Sequence, residues 1–280
     1  MKLVRFGPPG REKPGLIDAQ GRLRDLSARC ADIGWDELAP AGRQRLKAID
    51  PAALPLVKGS PRLGVPFTGI SKIVAVGLNY RDHARETGAA IPSEPVLFMK
   101  ATTAINGPHD DIRLPRGSTH TDWEAELGLV IGTTARYVEE RKALAHLAGY
   151  VTFHDVSERD FQKNRGGTWD KGKGCDTFAP IGPWLVTPDE IPDPQHLRVW
   201  LSVNGEMRQD SNTDQMIFSC AHLISYISQF MTLLPGDVIC TGTPPGVGLG
   251  MTPPQFLKAG DVVRLGVEGL GEQCQHVVAG

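Results

Sequence analysis

Two glutamates enter an apolar strand near the middle of the chain, in the segment His120-Thr-Asp-Trp-Glu-Ala-Glu-Leu-Gly-Leu-Val-Ile-Gly132. Alternate side chains of a β-strand lie on one face, so Asp122, Glu124 and Glu126 are predicted to point the same way. Residues 127–131 have the continuous apolar pattern of a strand buried on both faces. Because buried carboxylates without a positive partner are strongly disfavoured, the pattern favours a bound divalent cation. The alternative is a solvated edge strand with an acidic outer face.

A further acidic residue follows another short apolar strand. Residues 150–153 have the pattern of that strand, and His154 and Asp155 come directly after it. Asp155 is either a carboxylate of the same site or the N-cap of the helical turn predicted for residues 157–162. Carboxylate ligands without cysteine or histidine suit a hard cation, so we expect Mg²⁺, Mn²⁺ or Ca²⁺ rather than structural zinc.

A histidine and a glutamate are spaced for contact after an earlier strand. The strand predicted over residues 72–76 is followed by a turn and then by His83 and Glu86. In a helical turn a spacing of three places both side chains on one face. A carboxylate beside an imidazole fixes its tautomer and raises its basicity, as a general base near neutral pH requires. The alternative is an ordinary ion pair on a surface helix.

Composition excludes several classes of protein. The 280 residues carry 30 basic and 32 acidic side chains, a net charge of −2, so no basic surface indicates nucleic-acid binding. No segment approaches the roughly 18 apolar residues of a membrane span, and the N-terminus lacks the apolar region of a signal peptide. The five cysteines are scattered without a Cys-x-x-Cys pair. They are expected to be free thiols in a cytoplasmic protein.

Short strands dominate the predicted secondary structure. An N-terminal β-hairpin pattern and a short helix near residues 42–47 suggest a small cap domain over residues 1–65, followed by a catalytic domain over residues 66–280. Longer helices are predicted only near residues 135–147 and 218–230. Frequent short strands separated by Gly and Pro favour a mainly β (α+β) sandwich, roll or barrel over a doubly wound sheet.

Five segments, in order over residues 70–280, resemble the fumarylacetoacetate hydrolase family. They are Gly77-Leu-Asn-Tyr-Arg-Asp-His-Ala-Arg-Glu86, Asp122-Trp-Glu-Ala-Glu-Leu127, His154-Asp-Val-Ser-Glu-Arg-Asp-Phe-Gln162, Gly172-Lys-Gly-Cys-Asp-Thr-Phe-Ala-Pro-Ile-Gly-Pro183 and Thr241-Gly-Thr-Pro-Pro-Gly-Val-Gly248. The resemblance implies the family's mixed β-sandwich roll and its usual homodimer.

The resemblance also implies roles for individual residues. It implies that Glu124, Glu126 and Asp155 bind Mg²⁺ or Mn²⁺, and that His83 and Glu86 activate water. Further implied residues are Lys173 at the metal site, Arg159 and Gln162 near oxyanionic oxygens, and Thr243 on the substrate carboxylate. For Lys173, Arg159 and Gln162 the alternative is a solvated side chain. Tyr80 and Asp176 either line the substrate pocket or are structural. Gly174 stands where many members have serine.

The implied reaction is metal-dependent hydrolysis of the C3–C4 bond of an acylpyruvate. The N-terminal segment looks like that of bacterial members named ureidoglycolate lyases, some of which hydrolyse 2,4-diketo-3-deoxy sugar acids. The expected substrate is therefore L-2,4-diketo-3-deoxyrhamnonate or its fuconate isomer, giving pyruvate and L-lactate. Its acyl tail is expected to be recognised by the N-terminal cap or by residues 83–95. Alternatives on the same metal site are oxaloacetate decarboxylation or tautomerisation and hydration of a 2-oxoalkenoate. Ureidoglycolate cleavage and a non-enzymatic binding module fit the residues less well.

Overall fold

The apolar run after Glu126 forms the centre of the largest sheet. The strand Ala125–Ile131 is buried at every residue, as its uninterrupted apolar pattern predicts. Its two neighbours in the sheet are Leu147–His154 and Val238–Cys240, which are buried throughout as well. Burial on both faces explains why these strands lack the alternation of polar and apolar residues that a half-exposed strand shows.

The computed structural model describes residues 1–88 and 90–280. The strands in these residues are β1 Lys2–Phe6, β2 Lys13–Ile17, β3 Leu23–Asp25, β4 Ile73–Gly77, β5 Val96–Lys100, β6 Ile105–Asn106, β7 Ile112–Leu114, β8 Thr121–Asp122, β9 Ala125–Ile131, β10 Leu147–His154, β11 Ser157–Glu158, β12 Ala179–Val186, β13 Arg198–Val203, β14 Glu206–Asn212, β15 Val238–Cys240, β16 Val262–Val267 and β17 Gly271–Ala279. The α-helices are α1 Trp35–Leu38, α2 Pro40–Lys47, α3 Arg81–Thr87, α4 Glu140–Ala143, α5 Arg159–Lys163, α6 Asp170–Lys173 and α7 Cys220–Ile227.

Two sheets pack face to face around the core. The larger has the strand order β3-β2-β1-β12-β10-β9-β15-β4-β5, with β6 beside β12, and the smaller has the order β14-β13-β16-β17-β7. Strands β9, β10 and β12 contact β13, β16 and β17 across the interface. A short ribbon of β8 and β11 lies at the edge of this sandwich. The predicted mainly β (α+β) fold class is confirmed.

The N-terminal hairpin extends the larger sheet. Strands β1, β2 and β3 pair in the predicted antiparallel order, and β1 continues the sheet by pairing with β12. The predicted cap therefore shares a sheet with the strands that follow, and its boundary at residue 65 stays a prediction. No helix in residues 1–88 and 90–280 is long and apolar enough to cross a membrane.

The longer helix predicted over residues 135–147 is wrong. Only Glu140–Ala143 is α-helical, and a single 3₁₀ turn, Leu144–His146, follows it. Ala135 instead forms a β-bridge with Leu233, and Tyr137 has φ of 52°, a backbone conformation that no α-helix contains. The segment predicted over residues 218–230 is helical at Cys220–Ile227.

Strand direction brings the predicted site segments to one edge of the larger sheet. Strands β9 and β10 are antiparallel, with Phe153 opposite Glu126, so the start of β9 lies beside the end of β10. Strand β15 is antiparallel to β9 and parallel to β4. The loops that follow β4, β10 and β15 therefore leave the sheet at the same edge. They carry His83, Asp155 and Thr243 respectively.

Candidate metal and catalytic site

Three carboxylates converge at this edge of the sheet. Ligand oxygens of Glu124, Glu126 and Asp155 all lie within 4.8 Å of one another. Their residues are 7%, 1% and 1% exposed. The backbone amide of Asp155 donates to the Glu124 carbonyl at 2.9 Å, which fixes the end of β10 against the start of β9. The three residues that the family resemblance implies as metal ligands are thus assembled in one buried cluster.

Three buried cations surround the carboxylates. The Lys173 ammonium lies 2.7 Å from Glu124 Oε2 and 2.7 Å from Asp155 Oδ2. The Lys100 ammonium lies 2.6 Å from Asp155 Oδ1. Arg159 Nη2 lies 2.7 Å from Glu124 Oε1. Glu126 instead accepts a hydrogen bond from the backbone amide of Gly242 at 2.8 Å.

Asp122 does not join the other acids, so the prediction that Asp122, Glu124 and Glu126 share one strand face is wrong. Strand β8 ends at Asp122 and β9 begins at Ala125, which breaks the alternation between them. The Asp122 carboxylate accepts a hydrogen bond from Arg159 Nε at 2.8 Å and from the backbone amides of Gly248 and Leu249. The Asp122 carboxylate therefore orients the Arg159 side chain and holds the loop that follows Thr243 in place.

The neighbouring charges have opposite net effects on the pKa values of Glu124 and Glu126. Burial would raise the pKa of Glu124, but Lys173 and Arg159 outweigh it and lower the pKa to about 2. For Glu126, burial together with the nearby charges of Asp155 and Glu124 raises the pKa well above its ordinary value. Burial would lower the pKa of Lys173, but Asp155 and Glu124 raise it. A divalent cation among these oxygens would supply the charge that Glu126 lacks, so the residues fit a hard metal ion.

Metal binding is expected to release a proton from Glu126. Because its pKa is raised, Glu126 stays protonated to a higher pH than an ordinary glutamate, whereas a metal requires the carboxylate. Mn²⁺ affinity should therefore fall as the pH falls through that raised pKa, while Glu124 stays ionised down to about pH 2. Calorimetric titrations in two buffers with different ionisation enthalpies measure the released proton. An observed enthalpy that is the same in both buffers would contradict this coupling.

Lys100 is a site residue that the sequence patterns missed. Lys100 ends β5, where a strand-end lysine is normally solvated, yet it is only 3% exposed and bonds both Asp155 Oδ1 and the Val156 carbonyl. The apolar residues before it gave no signal that its ammonium reaches a carboxylate 55 residues away in sequence. Lys100 acts as a positioning residue for Asp155.

Replacing Lys100 should destabilise the metal-free protein. In Lys100→Met a buried carboxylate loses its partner, so the free energy of unfolding should fall by about 3 kcal/mol. Saturating Mn²⁺ should restore part of the loss, because a bound cation replaces the missing charge and favours the folded state. Urea unfolding with and without Mn²⁺ measures both effects. Lys47→Met, which breaks the exposed pair with Asp189, is the control and should leave the free energy of unfolding nearly unchanged, because solvent screens an exposed ion pair. A Lys100→Met loss that Mn²⁺ leaves unchanged would contradict the assignment.

A cavity of about 540 Å³ opens onto Glu124 and Glu126. His83 and Glu86 line it from α3, and His83 Nδ1 lies 3.0 Å from Glu86 Oε2. Glu86 also accepts hydrogen bonds from the Gly246 backbone amide at 3.1 and 3.3 Å. The helical turn predicted from their spacing is confirmed by α3. The histidine–glutamate pair thus shares one cavity with Glu124 and Glu126, and the volume of that cavity suits a small organic acid.

Arg159, Gln162 and Thr243 line the same cavity. Arg159 Nη1 donates to Gln162 Oε1 at 3.0 Å, so the two residues share one face of α5. The Thr243 hydroxyl donates to the Ala125 carbonyl at 2.9 Å and accepts from the Gln209 amide at 2.8 Å. Gln209 is fully buried and also bonds the Ala125 amide. Gln209, which the sequence analysis missed, therefore positions both Thr243 and the strand that carries Glu126.

Lys173 lies on a helical turn, although glycines flank it on both sides. It ends α6, and its side chain is 2% exposed. A Cβ atom at Gly172 would lie 2.3 Å from the Glu158 carbonyl oxygen, so α6 approaches β11 too closely for any other residue. This close approach carries the Lys173 ammonium into the cluster.

Two predicted pocket residues lie elsewhere. Tyr80 is fully buried and is not among the residues that line the cavity, and burial raises the pKa of its hydroxyl well above the ordinary value. Asp176 is exposed and is not among the lining residues either. Neither therefore contacts the cavity, which agrees with the structural alternative for each. The prediction for residues 83–95 includes Ala89, which lies outside the described residues.

The fold and the site define a β-sandwich protein with a buried carboxylate cluster, able to hold a metal ion, beside a substrate-sized cavity. The family model for the fumarylacetoacetate (FAA) hydrolase C-terminal domain matches residues 72–278. The chain belongs to the fumarylacetoacetate hydrolase family.

Individual relatives agree along their whole length. A Burkholderia lata protein with a provisional hydrolase name is 60% identical over 277 residues, which cover 99% of this chain and 98% of that protein. The fumarylacetoacetate hydrolase of psychrophilic Exiguobacterium antarcticum is 36% identical, with a TM-score of 0.90 and all of both chains covered. The maleylpyruvate hydrolase of Sphingobium sp. SYK-6, solved with manganese(II) and pyruvate, is 28% identical, with a TM-score of 0.83 over all of both chains. These comparisons support acylpyruvate-type chemistry at a metal site.

Proposed function

We propose that this protein hydrolyses the C3–C4 bond of an acylpyruvate, releasing pyruvate and a carboxylic acid. The observation that carries the proposal is the His83–Glu86 pair, 3.0 Å apart, which lines the same cavity as Glu124 and Glu126. Hydrolysis needs a general base that activates water, in addition to the groups that stabilise the enolate. The Sphingobium relative supports the proposal, since its name specifies an acylpyruvate hydrolase and its structure contains pyruvate.

The residues that would hold the metal are Glu124, Glu126 and Asp155, and we propose Mg²⁺ or Mn²⁺ as the ion. When bound, a divalent ion would act as a Lewis acid on the oxygens of a 2-oxo acid. Lys173, held between Glu124 and Asp155, adds a fixed positive charge where the enolate of pyruvate develops. Arg159 is held by Asp122 and Glu124, so it can donate to substrate oxygens without reorganising.

The proton transfer is assigned to His83. Glu86 contacts Nδ1 and so favours the tautomer with its proton on that nitrogen, which makes Nε2 the basic atom. A bifurcated hydrogen bond from the Gly246 backbone amide to both carboxylate oxygens holds Glu86 in place. His83 Nε2 then takes a proton from water, the hydroxide adds to the C4 carbonyl, and the C3–C4 bond breaks. The electron pair of that bond goes to C3, and the proton that His83 took from water is returned to the resulting enolate to give pyruvate.

The particular substrate that we propose is L-2,4-diketo-3-deoxyrhamnonate or its fuconate isomer, an acylpyruvate with a hydroxylated tail that would give pyruvate and L-lactate. A turnover assay with Mg²⁺ or Mn²⁺ tests it, with acetylpyruvate, diketo-deoxy sugar acids, oxaloacetate and ureidoglycolate as the panel. Activity confined to oxaloacetate would indicate the decarboxylase or tautomerase, and glyoxylate from ureidoglycolate would indicate the lyase. Absence of turnover on the whole panel would indicate a binding module. We also propose that the protein is a homodimer in the cytoplasm, which light scattering of the purified chain and cell fractionation test.

A further inference from the structure

A buried asparagine connects two loops at the edge of the larger sheet that carries the carboxylates. Asn79 follows β4, lies two residues before α3 and is fully buried. Its Nδ2 donates to the Thr241 carbonyl at 2.8 Å and to the Phe218 carbonyl at 3.1 Å, and its Oδ1 accepts from the Phe218 backbone amide at 2.8 Å. A carboxamide offers two donors and an acceptor, and Asn79 uses all of them on the backbone of these loops.

The carbonyl that Asn79 binds belongs to the same peptide unit as the amide that binds Glu126. Thr241 contributes the oxygen of this unit and Gly242 the nitrogen, which donates to Glu126 Oε2 at 2.8 Å. Because a trans peptide is planar, its C=O and N–H point in opposite directions, so a bond that fixes the oxygen also aims the N–H. Hydrogen bonds in such a chain polarise one another, which strengthens the bond to Glu126.

Packing around this peptide restricts its orientation. Gly242 has φ of 95°, which residues with a side chain rarely adopt, and a Cβ atom there would lie 2.9 Å from Asn79 Cβ. Thr241 is fully buried, and its hydroxyl and backbone amide donate to the Leu127 carbonyl at 3.0 and 3.1 Å. The peptide is therefore held by Leu127 on one side and by Asn79 on the other.

Glu126 depends on this peptide more than the other carboxylates do. Lysine and arginine side chains hold Glu124 and Asp155. Among residues 1–88 and 90–280, the only hydrogen bond found for the Glu126 carboxylate comes from the Gly242 amide. We propose that Asn79 is a positioning residue for Glu126, which it holds in place for the metal ion through the Thr241–Gly242 peptide. This inference rests on the part of the proposed function that makes Glu126 a metal ligand.

Asn79→Ala should weaken Mn²⁺ binding by about tenfold, because groups that orient metal ligands from outside the coordination sphere typically contribute ten- to hundredfold to affinity. Calorimetric titration with Mn²⁺ measures the loss. Gln195→Ala is the matched control for the bonds of Asn79 near α7, since Gln195 accepts from the Cys220 amide at 2.7 Å and none of its hydrogen bonds reaches Thr241. It should keep the wild-type affinity. An equal loss in both variants, or no loss in Asn79→Ala, would overturn the inference.

One NMR signal reports on both ends of the link without metal. Labelling threonine carbonyls with ¹³C and glycine amides with ¹⁵N selects Thr–Gly peptides, which the chain contains at residues 68–69, 87–88 and 241–242. In Asn79→Ala the Thr241 carbonyl carbon and the Gly242 amide proton should both move upfield, since each loses hydrogen-bond strength, while the signal of residues 68–69 stays in place. A carbon that moves without the proton would show that the bond from Asn79 is not transmitted to Glu126, and would overturn the inference.

Hydrogen exchange of the wild type keeps the test decisive if Asn79→Ala does not fold. The Gly242 amide is buried and bonded, so it should exchange slowly with deuterium. Exchange as fast as that of an exposed loop would also overturn the inference. A wild type that binds no Mn²⁺ would instead contradict the metal site of the proposed function. Turnover enters none of these measurements, so failure of the proposed reaction is distinguished from failure of the inference.

Discussion

Glu126→Gln should fold and lose its metal. Glutamine resembles the protonated glutamate that the raised pKa favours in the metal-free site, so the free energy of unfolding without metal should not fall. The amide removes one of three anionic ligands, so Mn²⁺ affinity should drop by more than about 100-fold, the upper end of what indirect contacts to a ligand cost. Elemental analysis of the purified variant and calorimetric titration with Mn²⁺ measure the loss, and hydrolytic activity should fall with occupancy.

Glu12→Gln is the matched control for that experiment. Glu12 has a side chain that is 9% exposed and pairs with Arg62, and both residues line a different cavity from that of Glu124 and Glu126. The substitution removes one nearly buried negative charge and should leave Mn²⁺ affinity as it is. Unchanged metal occupancy in Glu126→Gln would contradict the assignment of Glu126 as a metal ligand. A similar loss in both variants would mean that overall charge, and not coordination, governs binding.

The sequence allowed the central strands and the carboxylate cluster to be predicted for one physical reason. Strand β9 is buried on both faces, so its apolar run is uninterrupted, and carboxylates next to such a run need a counter-charge. The same reasoning found Asp155 at the end of β10. Local periodicity also placed His83 and Glu86 on one helical turn, since residues three apart in a helix are neighbours.

What the sequence did not predict depends on contacts between distant segments. Lys100 and Gln209 are polar residues on strands, and only the fold brings them to Asp155 and Ala125. Asp122 was predicted to share a face with Glu124 and Glu126 because a strand was assumed to continue through Trp123, whereas the chain leaves the strand there and the Asp122 carboxylate accepts a hydrogen bond from Arg159. Each of these contacts depends on how distant segments pack in the fold, which a local sequence pattern cannot show.

The helix predicted over residues 135–147 failed for a related reason. Its apolar spacing is compatible with a helix, but the backbone of Ala135 pairs with Leu233, and the positive φ of Tyr137 turns the chain before α4 can begin. Short helices gain little from propensity alone, so a competing tertiary contact determines the outcome. The residues that recognise the acyl tail, expected in the N-terminal cap or in residues 83–95, could not be identified from local sequence patterns either. The walls of the cavity come from five separated segments of the chain.

His83→Ala should keep the metal and lose hydrolysis. His83 contacts Glu86 and lines the cavity but is not part of the carboxylate cluster, so Mn²⁺ occupancy and binding of oxalate, a planar mimic of the pyruvate enolate, should stay as in the wild type. Removing a general base costs on the order of 10²-fold or more, and the loss should fall on kcat rather than on KM. Steady-state kinetics on acetylpyruvate, with calorimetric titration of oxalate, separates the two effects.

His222→Ala is the matched control, because the chain contains a second histidine–glutamate pair of nearly the same geometry. His222 Nδ1 lies 3.1 Å from Glu140 Oε2, but neither residue lines the cavity. This variant should hydrolyse acetylpyruvate at the wild-type rate. Near-normal kcat in His83→Ala would show that the His83–Glu86 pair, like the His222–Glu140 pair, has no role in catalysis. A loss of oxalate affinity together with kcat would instead assign His83 to substrate binding, since a base that acts on water has no reason to contact the pyruvate end of the ligand.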